Sequence, residues 1–415
     1  MTSPNITNAS SPARGTIRDV FCAFLLLGLT SFGGPIAHLA YFRAEFVERR
    51  RWLSESAYAY LVALCQFLPG PTSSQVGFAV GLMRAGPWGG AAAWAAFTLP
   101  SAIVLVLFAM GAALFDGPVG QGIIHGLKIT AVAIVAHAVW GMAKTLCPDR
   151  RRSGIALAAV FIVVFINGPA GQVAAIVLGA LAGMVLCRTH VENARPDLHF
   201  SLSAPAGHLA GVAFVVLLVG LPILAFGSGT TTLSVMDAFY RAGALVFGGG
   251  HVVLPLLEAE VVQSGWVSAE QFLAGYGATQ AVPGPLFTFA AYLGAVIFAP
   301  SAELFGIGMW SSALWGAGVA LVMIFLPGML VLIAILPHWN RFRRWHHAHA
   351  LMRGANAAVV GILGAALYQS VFASAILGGH EFALALAGFL MLSIWKLPAW
   401  AVVATLAGGG ILISY

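Results

Sequence analysis

Long apolar runs, separated by short polar connections, extend along nearly the whole chain. They cover residues 20–42, 56–83, 88–115, 122–146, 155–166, 170–187, 209–226, 233–257, 271–298, 304–336, 351–377, 382–395 and 399–413. One membrane crossing takes about 20 apolar residues in a helix, and lipid accepts only helices or closed barrels. The pattern predicts an all-α polytopic membrane protein with about nine to thirteen helical segments, some of them broken or re-entrant.

The composition excludes two large classes of soluble protein. Of the 415 residues, 60% are hydrophobic and 8% are Asp, Glu, Lys or Arg, whereas soluble chains carry about 25% charged residues. Soluble enzymes and nucleic-acid-binding proteins are thereby excluded. The four cysteines show no paired spacing, so no disulfide framework or metal site is predicted, and no cofactor is expected. Residues 1–13 are polar and are predicted to be disordered.

Two short motifs occur twice, which predicts two homologous halves. Phe32-Gly33-Gly34 recurs 215 positions later as Phe247-Gly248-Gly249, and the segment 66–71 (Q-F-L-P-G-P) recurs 214 positions later as 280–285 (Q-A-V-P-G-P). Further along, Gly126-Leu127-Lys128 aligns with Gly354-Ala355-Asn356. The predicted parts are a first repeat at 14–187, a cytoplasmic linker at 188–208 and a second repeat at 209–414.

The charges of equivalent loops predict that the halves cross the membrane in opposite senses. Residues 43–55 contain four arginines, whereas the equivalent 258–270 contain three glutamates and no Lys or Arg. Residues 115–121 contain no cation, whereas the equivalent 337–353 contain four arginines. Cytoplasmic loops are rich in Lys and Arg, so 43–55 and 337–353 are predicted to be cytoplasmic, together with Arg150-Arg151-Arg152. This inverted architecture is typical of secondary transporters.

The two P-G-P motifs predict helices that break inside the membrane. Prolines remove amide donors and a glycine between them is free to adopt unusual dihedral angles. The first break is followed by Thr72-Ser73-Ser74-Gln75, whereas the second is followed by a single hydroxyl, Thr288. Polar groups at the start of a half-helix are suited to an anion. A simple proline kink is the alternative for one break, but two matched breaks favour a substrate pathway.

The F-G-G motifs form a second pair of breaks, where close helix packing and ligand binding both remain open. The predicted substrate ligands are Gly33, Gly34, Gln66, Gly70, Thr72, Ser73, Ser74, Gln75, Lys128, Gly248, Gly249, Gln280, Gly284, Thr288 and Asn356.

Ionisable groups at membrane depth are functional candidates. Lys128 could bind the anion or extend to the membrane surface, with the amide of Asn356 across the pseudo-two-fold axis. Asp237 and Arg241, four residues apart, are predicted to pair. If transport is coupled to protons, the candidate groups are His38, Glu45, His251 and Glu260.

The motifs G-L-T-S-F-G-G-P (28–35), Q-F-L-P-G-P-T-S-S-Q (66–75), F-G-G-G-H (247–251) and Q-A-V-P-G-P (280–285) resemble the signatures of the bacterial chromate ion transporters in their long, two-domain form. The resemblance covers nearly the whole chain. It implies a multi-pass protein of the bacterial inner membrane that exports chromate and confers chromate resistance. It further implies coupling to the proton gradient or the membrane potential, with sulfate as a related anion. The expected partners are chromate, sulfate and the lipid bilayer, and a homodimer is one candidate assembly.

Three other functions were weighed. A carrier for sulfate or another oxyanion, and an anion channel, share the same inverted architecture. An intramembrane enzyme is disfavoured, because the sequence contains no HExxH motif and no nucleophile in a recognisable catalytic setting.

Overall fold

A computed structural model of the protein describes residues 15–111, 117–187, 202–299, 308–338 and 346–413. Its regular structure is helical throughout these ranges, which confirms the predicted all-α class. The helices are α1 Ile17–Thr30, α2 Gly34–Arg43, α3 Glu55–Phe67, α4 Thr72–Gly111, α5 Pro118–Leu146, α6 Arg150–Phe165, α7 Pro169–Leu186, α8 Ala204–Ser228, α9 Thr231–Ala244, α10 Val253–Val261, α11 Ala269–Thr279, α12 Phe289–Phe298, α13 Met309–Ile335, α14 His346–Ala366, α15 Gly379–Ser393 and α16 Ala399–Ile413. Two π-helical segments, Ala44–Arg49 and Leu367–Phe372, follow α2 and α14.

Six described helices are long and apolar enough to cross a membrane, and they confirm a multi-pass membrane protein. They are Thr72–Gly111, Pro118–Leu146, Pro169–Leu186, Ala204–Ser228, Trp310–His338 and His349–Ala375. Their number is below the predicted nine to thirteen segments because breaks divide several apolar runs into short helices. A helix of 14 residues such as α1 is only about 21 Å long, too short to cross alone.

The predicted breaks are confirmed by the helix boundaries. α1 ends at Thr30 and α2 begins at Gly34, while α3 ends at Phe67 and α4 begins at Thr72. The physical cause lies at the central glycines of the P-G-P motifs, since Gly70 and Gly284 have φ angles of 117° and 110°. This left-handed region of backbone space is open to glycine at little cost.

α4 turns back on itself as a hairpin. Ala85 and Gly86 have non-helical dihedral angles between two helical arms, 72–84 and 87–111. Gly81 and Gly89, one on each arm, are in direct backbone contact. α12 and α13 pack in the same way, with Gly294 against Gly316.

Several helices of residues 15–187 recur at the predicted offsets in residues 231–413. Adding 214 to the bounds of α3, 55–67, gives 269–281, and α11 runs from Ala269 to Thr279. Adding 228 to the bounds of α5, 118–146, gives 346–374, and α14 with its π-helical continuation runs from His346 to Phe372. In the same way α6 and α7 correspond to α15 and α16.

α8 has no counterpart in the first half. It begins at Ala204, with the Ser203 hydroxyl accepting from the Ala206 amide and a proline in its first turn. This start lies inside the predicted linker, so one continuous helix spans the predicted boundary at 208–209. The matched helices of the second half begin at α9. The predicted disordered segment 1–13 and residues 188–201 of the predicted linker lie outside the described residues.

The two halves interlock through glycine contacts that are reciprocal. α5 packs on α16, where a Cβ atom on Gly126 would overlap the carbonyl of Leu406, and α14 packs on α7, where a Cβ atom on Gly354 would overlap the carbonyl of Gly179. Gly126 and Gly354 are repeat-equivalent. Such an exchange of contacts is what a two-fold relation between the two predicted repeats would produce. Both crossings are antiparallel, since rising numbers on one helix meet falling numbers on the other.

Candidate functional site

Four broken helices meet at the centre of the protein, and the two halves hold each other there by a reciprocal pair of hydrogen bonds. The amide of Gly70 donates to the carbonyl of Val246 at 2.8 Å, and the amide of Gly284 donates to the carbonyl of Ser31 at 2.9 Å. Val246 and Ser31 are equivalent, 215 positions apart, and each follows the end of a helix, α9 or α1. Each P-G-P motif is therefore bound to the F-G-G break of the other half.

These bonds change the roles expected of the central glycines. Gly70 and Gly284 were predicted as anion ligands, but their amides are already used between the halves. The surroundings are equally tight. A Cβ atom on Gly70 would lie 2.9 Å from the Cα atom of Gly328, and one on Gly284 would lie 2.7 Å from the Ser101 hydroxyl. The two glycines hold the P-G-P turns against the other half. Amide donors for an anion therefore have to come from the residues that follow the glycines in the chain.

The first turn of α4 supplies such donors. The amides of Thr72, Ser73 and Ser74 have no acceptor within the helix, as in the first turn of any helix, and the helix dipole makes this end positive. By contrast, the carbonyls that follow α1 and α9 are occupied by the glycine amides. Amides that lack an acceptor in the helix, next to carbonyls that are already hydrogen-bonded, create an environment suited to an anion.

Buried polar atoms without hydrogen-bond partners surround these helix ends. Among the described residues they include the hydroxyl oxygens of three residues, two side-chain amide oxygens, one side-chain amide nitrogen and one imidazole nitrogen. We call this group the central polar cluster; it consists of Ser31, His38, Ser74, Gln75, Thr98, Gln280 and Asn356. An unsatisfied buried polar atom costs about 1–3 kcal/mol. The group is therefore matched to a polar ligand or to water.

Five of the seven residues of the cluster are buried, whereas Gln280 and Asn356 are partly exposed. Ser31, His38, Gln75 and Thr98 are 0% exposed and Ser74 is 2% exposed. Gln75 also holds the first P-G-P turn in place, because its side-chain amide donates to the carbonyls of Pro69 at 2.8 Å and Gly328 at 3.0 Å.

Two histidines, one from each half, stand beside the cluster. The Nδ1 atom of His38 lies 3.4 Å from the Ser73 hydroxyl, and its ring packs on Phe97 with centroids 5.3 Å apart. The Nδ1 atom of His251 lies 2.8 Å from the Tyr276 hydroxyl. The Nε2 atom of His251 lies 4.0 Å from a Cβ atom built on Gly34. Both were proposed from the sequence as proton carriers, and the structure places them at the meeting point of the helix breaks.

Of the other predicted ligands, some lie at the helix breaks and some are exposed. The Asn356 side-chain oxygen lies 3.4 Å from a Cβ atom built on Gly248, and the Thr288 hydroxyl donates to the Pro285 carbonyl at 2.7 Å. Gln66 and Gly33 are exposed, so they stay outside the buried group. Gly249, a neighbour of Gly248, has a φ angle of 149°.

Lys128 has a different setting from its counterpart Asn356. Its ammonium group pairs with the carboxylate of Glu270 at 3.2 Å. It lines a cavity of about 540 Å³, which we call the mixed-charge pocket. The lining residues are Gln121, Ile124, His125, Lys128, Glu270, Glu381 and Ile413. The structure therefore places the Lys128 ammonium group in the mixed-charge pocket, paired with Glu270.

The two glutamate candidates for proton coupling are held by arginines. Glu45 pairs with Arg49 at 2.9 Å and also with Arg50. Its repeat equivalent Glu260 pairs with Arg241 at 3.0 Å. Arg241 also binds Asp237 at 2.8 Å, which confirms the pairing predicted from their spacing.

A further carboxyl, Glu258, was not selected from the sequence as a proton carrier. It lines a cavity of about 150 Å³ together with Ser370 and Ser374, and it accepts a hydrogen bond from Ser370. Ser370 lies in the π-helical segment after α14, a feature often found at functional sites. No ion pair to Glu258 is present in the part of the chain that the structure describes. The sequence did show Glu258 as a carboxyl in an apolar run. Ser370 and Ser374, which face it, are more than 100 residues away in the chain, so the sequence could not show the contact.

Comparison with known proteins places the chain in a family. The family model described as "Chromate transporter" matches residues 18–184 and 233–413, which leaves out α8 as the repeat correspondence does. A chromate transport protein of Pseudomonas aeruginosa is 27% identical over 97% of this chain and 93% of its own length.

Other relatives agree. A probable chromate transport protein of Synechococcus elongatus is 27% identical over 93% of both chains, and a chromate transport protein of Cupriavidus metallidurans is 24% identical over 85% of this chain and 82% of its own. No solved structure matches the chain. This multi-pass membrane protein therefore belongs to the chromate transporter family.

Proposed function

We propose that the protein exports chromate from the cytoplasm by alternately exposing the central polar cluster to the two sides of the membrane. The observation that carries this proposal is the reciprocal bonding of the two P-G-P turns around buried polar atoms that lack partners. Relatives named as chromate transport proteins along nearly the whole chain support the choice of anion.

The chemistry of the centre suits a tetrahedral dianion. Chromate offers four oxygens that accept hydrogen bonds, and the first turn of α4 offers amides together with the hydroxyls of Thr72, Ser73 and Ser74. Hydrogen bonds to a charged group are worth about 1.5–3 kcal/mol each, so a few such donors can offset much of the loss of water.

The second half contributes fewer donors of this kind. Thr288 uses its hydroxyl within its own turn, and the Gln280 side-chain nitrogen, in the second half's break, is a buried donor without a described partner. We therefore assign the main contacts with the anion to the first half, and a supporting contact to Gln280.

The burial of the centre favours a carrier over a channel. A channel needs a continuous aqueous path, whereas residues of the central polar cluster such as Ser31 and His38 are fully buried. The interlocked halves supply two rigid bodies whose relative rocking could open the centre to either side.

Two pockets support the inverted orientation. Arg150, Arg151, Arg152 and Arg353 line one cavity, and both of these regions were predicted to be cytoplasmic. Gln121 and Glu270 line the mixed-charge pocket, and both were predicted to lie outside. α5, with 29 residues, is about 43 Å long and separates the two pockets. We infer that the protein resides in the inner membrane with the arginines in the cytoplasm.

The membrane potential supplies a driving force for export. An interior-negative potential acts on each elementary charge with about 2.3 kcal/mol per 100 mV, hence with about 4.6 kcal/mol on a dianion. Proton coupling would add to this force, and Glu258, His38 and His251 are the groups placed to carry it.

The test is transport of radiolabelled chromate in proteoliposomes. A carrier gives counterflow, in which unlabelled chromate inside drives uptake of label against its gradient, and we expect this result. Label that only equilibrates, whatever the internal chromate, would indicate a channel and contradict the proposal. The same vesicles, with an imposed potential, an imposed pH gradient or added sulfate, measure the driving force and the selectivity.

A further inference from the structure

A second cavity, far from the central polar cluster, is lined mainly by arginines. It has a volume of about 400 Å³ and lies where the start of α6, the end of α7 and the first turns of α14 meet. We call it the basic pocket; its lining residues are Asp149, Arg150, Arg151, Arg152, Leu186, Cys187 and Arg353. It joins helices from both halves of the protein.

The charges of the basic pocket do not balance. Among the described residues, its lining holds four guanidinium groups and one carboxylate, that of Asp149. That carboxylate is already engaged, because its Oδ1 atom accepts from the Arg152 amide at 3.0 Å and its Oδ2 atom from Arg152 Nε at 2.6 Å. Arg152 is thus paired with Asp149, and the described lining residues together carry more positive than negative charge.

The helix ends add to this excess. α6 begins at Arg150, and the start of a helix carries partial positive charge. α7 ends at the pocket with partial negative charge, but Arg151 donates from Nη1 to the Leu186 carbonyl at 3.0 Å and so offsets it. The positive field of the pocket therefore comes from side chains and backbone together.

We propose that the basic pocket binds a tetrahedral oxyanion group at the membrane surface, as a site separate from the central polar cluster. Guanidinium groups bind phosphate and similar oxyanions through paired N–H donors. The group could be the phosphate of an acidic lipid or a free dianion, because the chemistry is shared. Basic pockets between membrane helices on the cytoplasmic side suit lipid headgroups. The inference does not depend on export or on the role of the P-G-P turns.

The test measures binding to the purified full-length protein in a neutral detergent. The probes are short-chain phosphatidylglycerol, short-chain phosphatidylcholine and inorganic phosphate, each titrated while Tm is recorded. The variants are Arg150→Gln and Arg353→Gln, singly and together. Arg150 is exposed, so Arg150→Gln should fold even if Arg353→Gln does not. The matched control is Arg18→Gln, which removes an exposed arginine of α1 outside the pocket.

We expect phosphatidylglycerol to raise Tm in the wild type and in Arg18→Gln, and phosphatidylcholine to have no effect. Each pocket substitution should weaken binding about fivefold, corresponding to about 1 kcal/mol per arginine near a charged surface. If phosphate reproduces the effect, the ligand is a free oxyanion; if only the lipid does, it is a headgroup. Either result supports the site. Equal weakening by Arg18→Gln and Arg150→Gln, or no response of the wild type to any anionic probe, would overturn it.

Discussion

At the scale of single residues, the centre depends on two glycines that no other residue can replace without strain. Gly70 and Gly284 combine a positive φ angle, a cross-half amide bond and a close neighbour, Gly328 or Ser101. The same residues join the halves and define where the half-helices begin. Their side chains, had they any, would fill the space beside the central polar cluster.

Gly70→Ala and Gly284→Ala should each abolish chromate counterflow. The left-handed backbone alone costs about 1–2 kcal/mol for alanine, and the new Cβ atom would press on the facing helix. The control is Gly220→Ala in α8, where no atom lies within 4 Å of the added carbon. Adding Ser101→Gly to Gly284→Ala should restore part of the activity. Wild-type rates in both single variants would deny the glycines this role.

The hydroxyls of the first half should matter more than that of the second. Replacing Thr72, Ser73 and Ser74 together by alanine should raise the half-saturation concentration for chromate by more than about tenfold, as expected for lost bonds to a charged ligand. Thr288→Ala should leave it nearly unchanged, because this hydroxyl already donates to Pro285. Initial rates over a range of chromate concentrations give the half-saturation concentration of each variant. Equal increases in the two variants would contradict the prediction that the first half makes the main contacts with chromate.

Lys128 should act from the mixed-charge pocket. Lys128→Ala should raise the half-saturation concentration for chromate offered from outside by about two- to fivefold, the effect of losing one ion pair whose other member, Glu270, is exposed. It should change little the half-saturation concentration for chromate offered from inside. Glu270→Gln removes the partner of Lys128 and should lower the half-saturation concentration for chromate offered from outside. Exchange assays in right-side-out and inverted vesicles compare the two sides. An equal shift on both sides would place the ammonium group at the central polar cluster.

At the scale of helices, glycine crossings bring the backbones of the two halves into contact beside a buried apolar core that both halves share. α5 meets α16 at Gly126, and α14 meets α7 at Gly354, in backbone contact. In lipid, where apolar contact with the bilayer is as favourable as contact with a helix, such close approach is the main source of attraction. The long helices thus link each half to the end of the other.

Gly354→Ala should therefore destabilise the protein by about 1–3 kcal/mol, the usual cost of overpacking. Gly364→Ala in the same helix, where no atom lies within 4 Å of the new carbon, should be neutral or stabilise by about 0.5–1 kcal/mol. The Tm of both variants in one detergent gives the comparison. Gly126→Ala should match Gly354→Ala, and a difference between them would show that the two crossings are not equivalent in energy.

At the scale of the whole molecule, the basic pocket and the mixed-charge pocket lie near opposite ends of α5 and carry different charge. The first is lined by four arginines and one carboxylate, the second by one lysine, one histidine and two glutamates. If the basic pocket faces the cytoplasm, as proposed from the preference for cytoplasmic Lys and Arg, this distribution would concentrate an anion at the cytoplasmic side before it is transported.

Single cysteines at nearly equivalent positions of the two predicted repeats, Glu55 and Glu270, and near the two ends of α5, Arg150 and Gln121, should label from opposite sides of the membrane. In a chain without its four native cysteines, Glu55→Cys and Arg150→Cys should react with a membrane-impermeant maleimide only from the cytoplasm. Glu270→Cys and Gln121→Cys should react only from outside. Labelling of intact and opened cells gives the answer, and reaction of Glu55→Cys and Glu270→Cys from the same side would rule out an inverted arrangement.

The sequence alone determined the helical class and the positions of the breaks, and it predicts the repeat. These features are local: apolar runs set the helices, two prolines around a glycine end them, and a motif is visible wherever it recurs. The same locality predicted the Asp237–Arg241 pair, since four residues bring two side chains together on any helix.

Only the tertiary structure decided how these parts meet. That the Gly70 amide binds Val246, that Lys128 faces Glu270 and that Ser370 faces Glu258 depends on partners more than 100 residues away in sequence. Apolar periodicity does not encode such pairings, because any apolar face can lie against lipid or another helix. Hydrogen bonds between distant breaks select one arrangement, since in hydrocarbon every backbone group must find a partner.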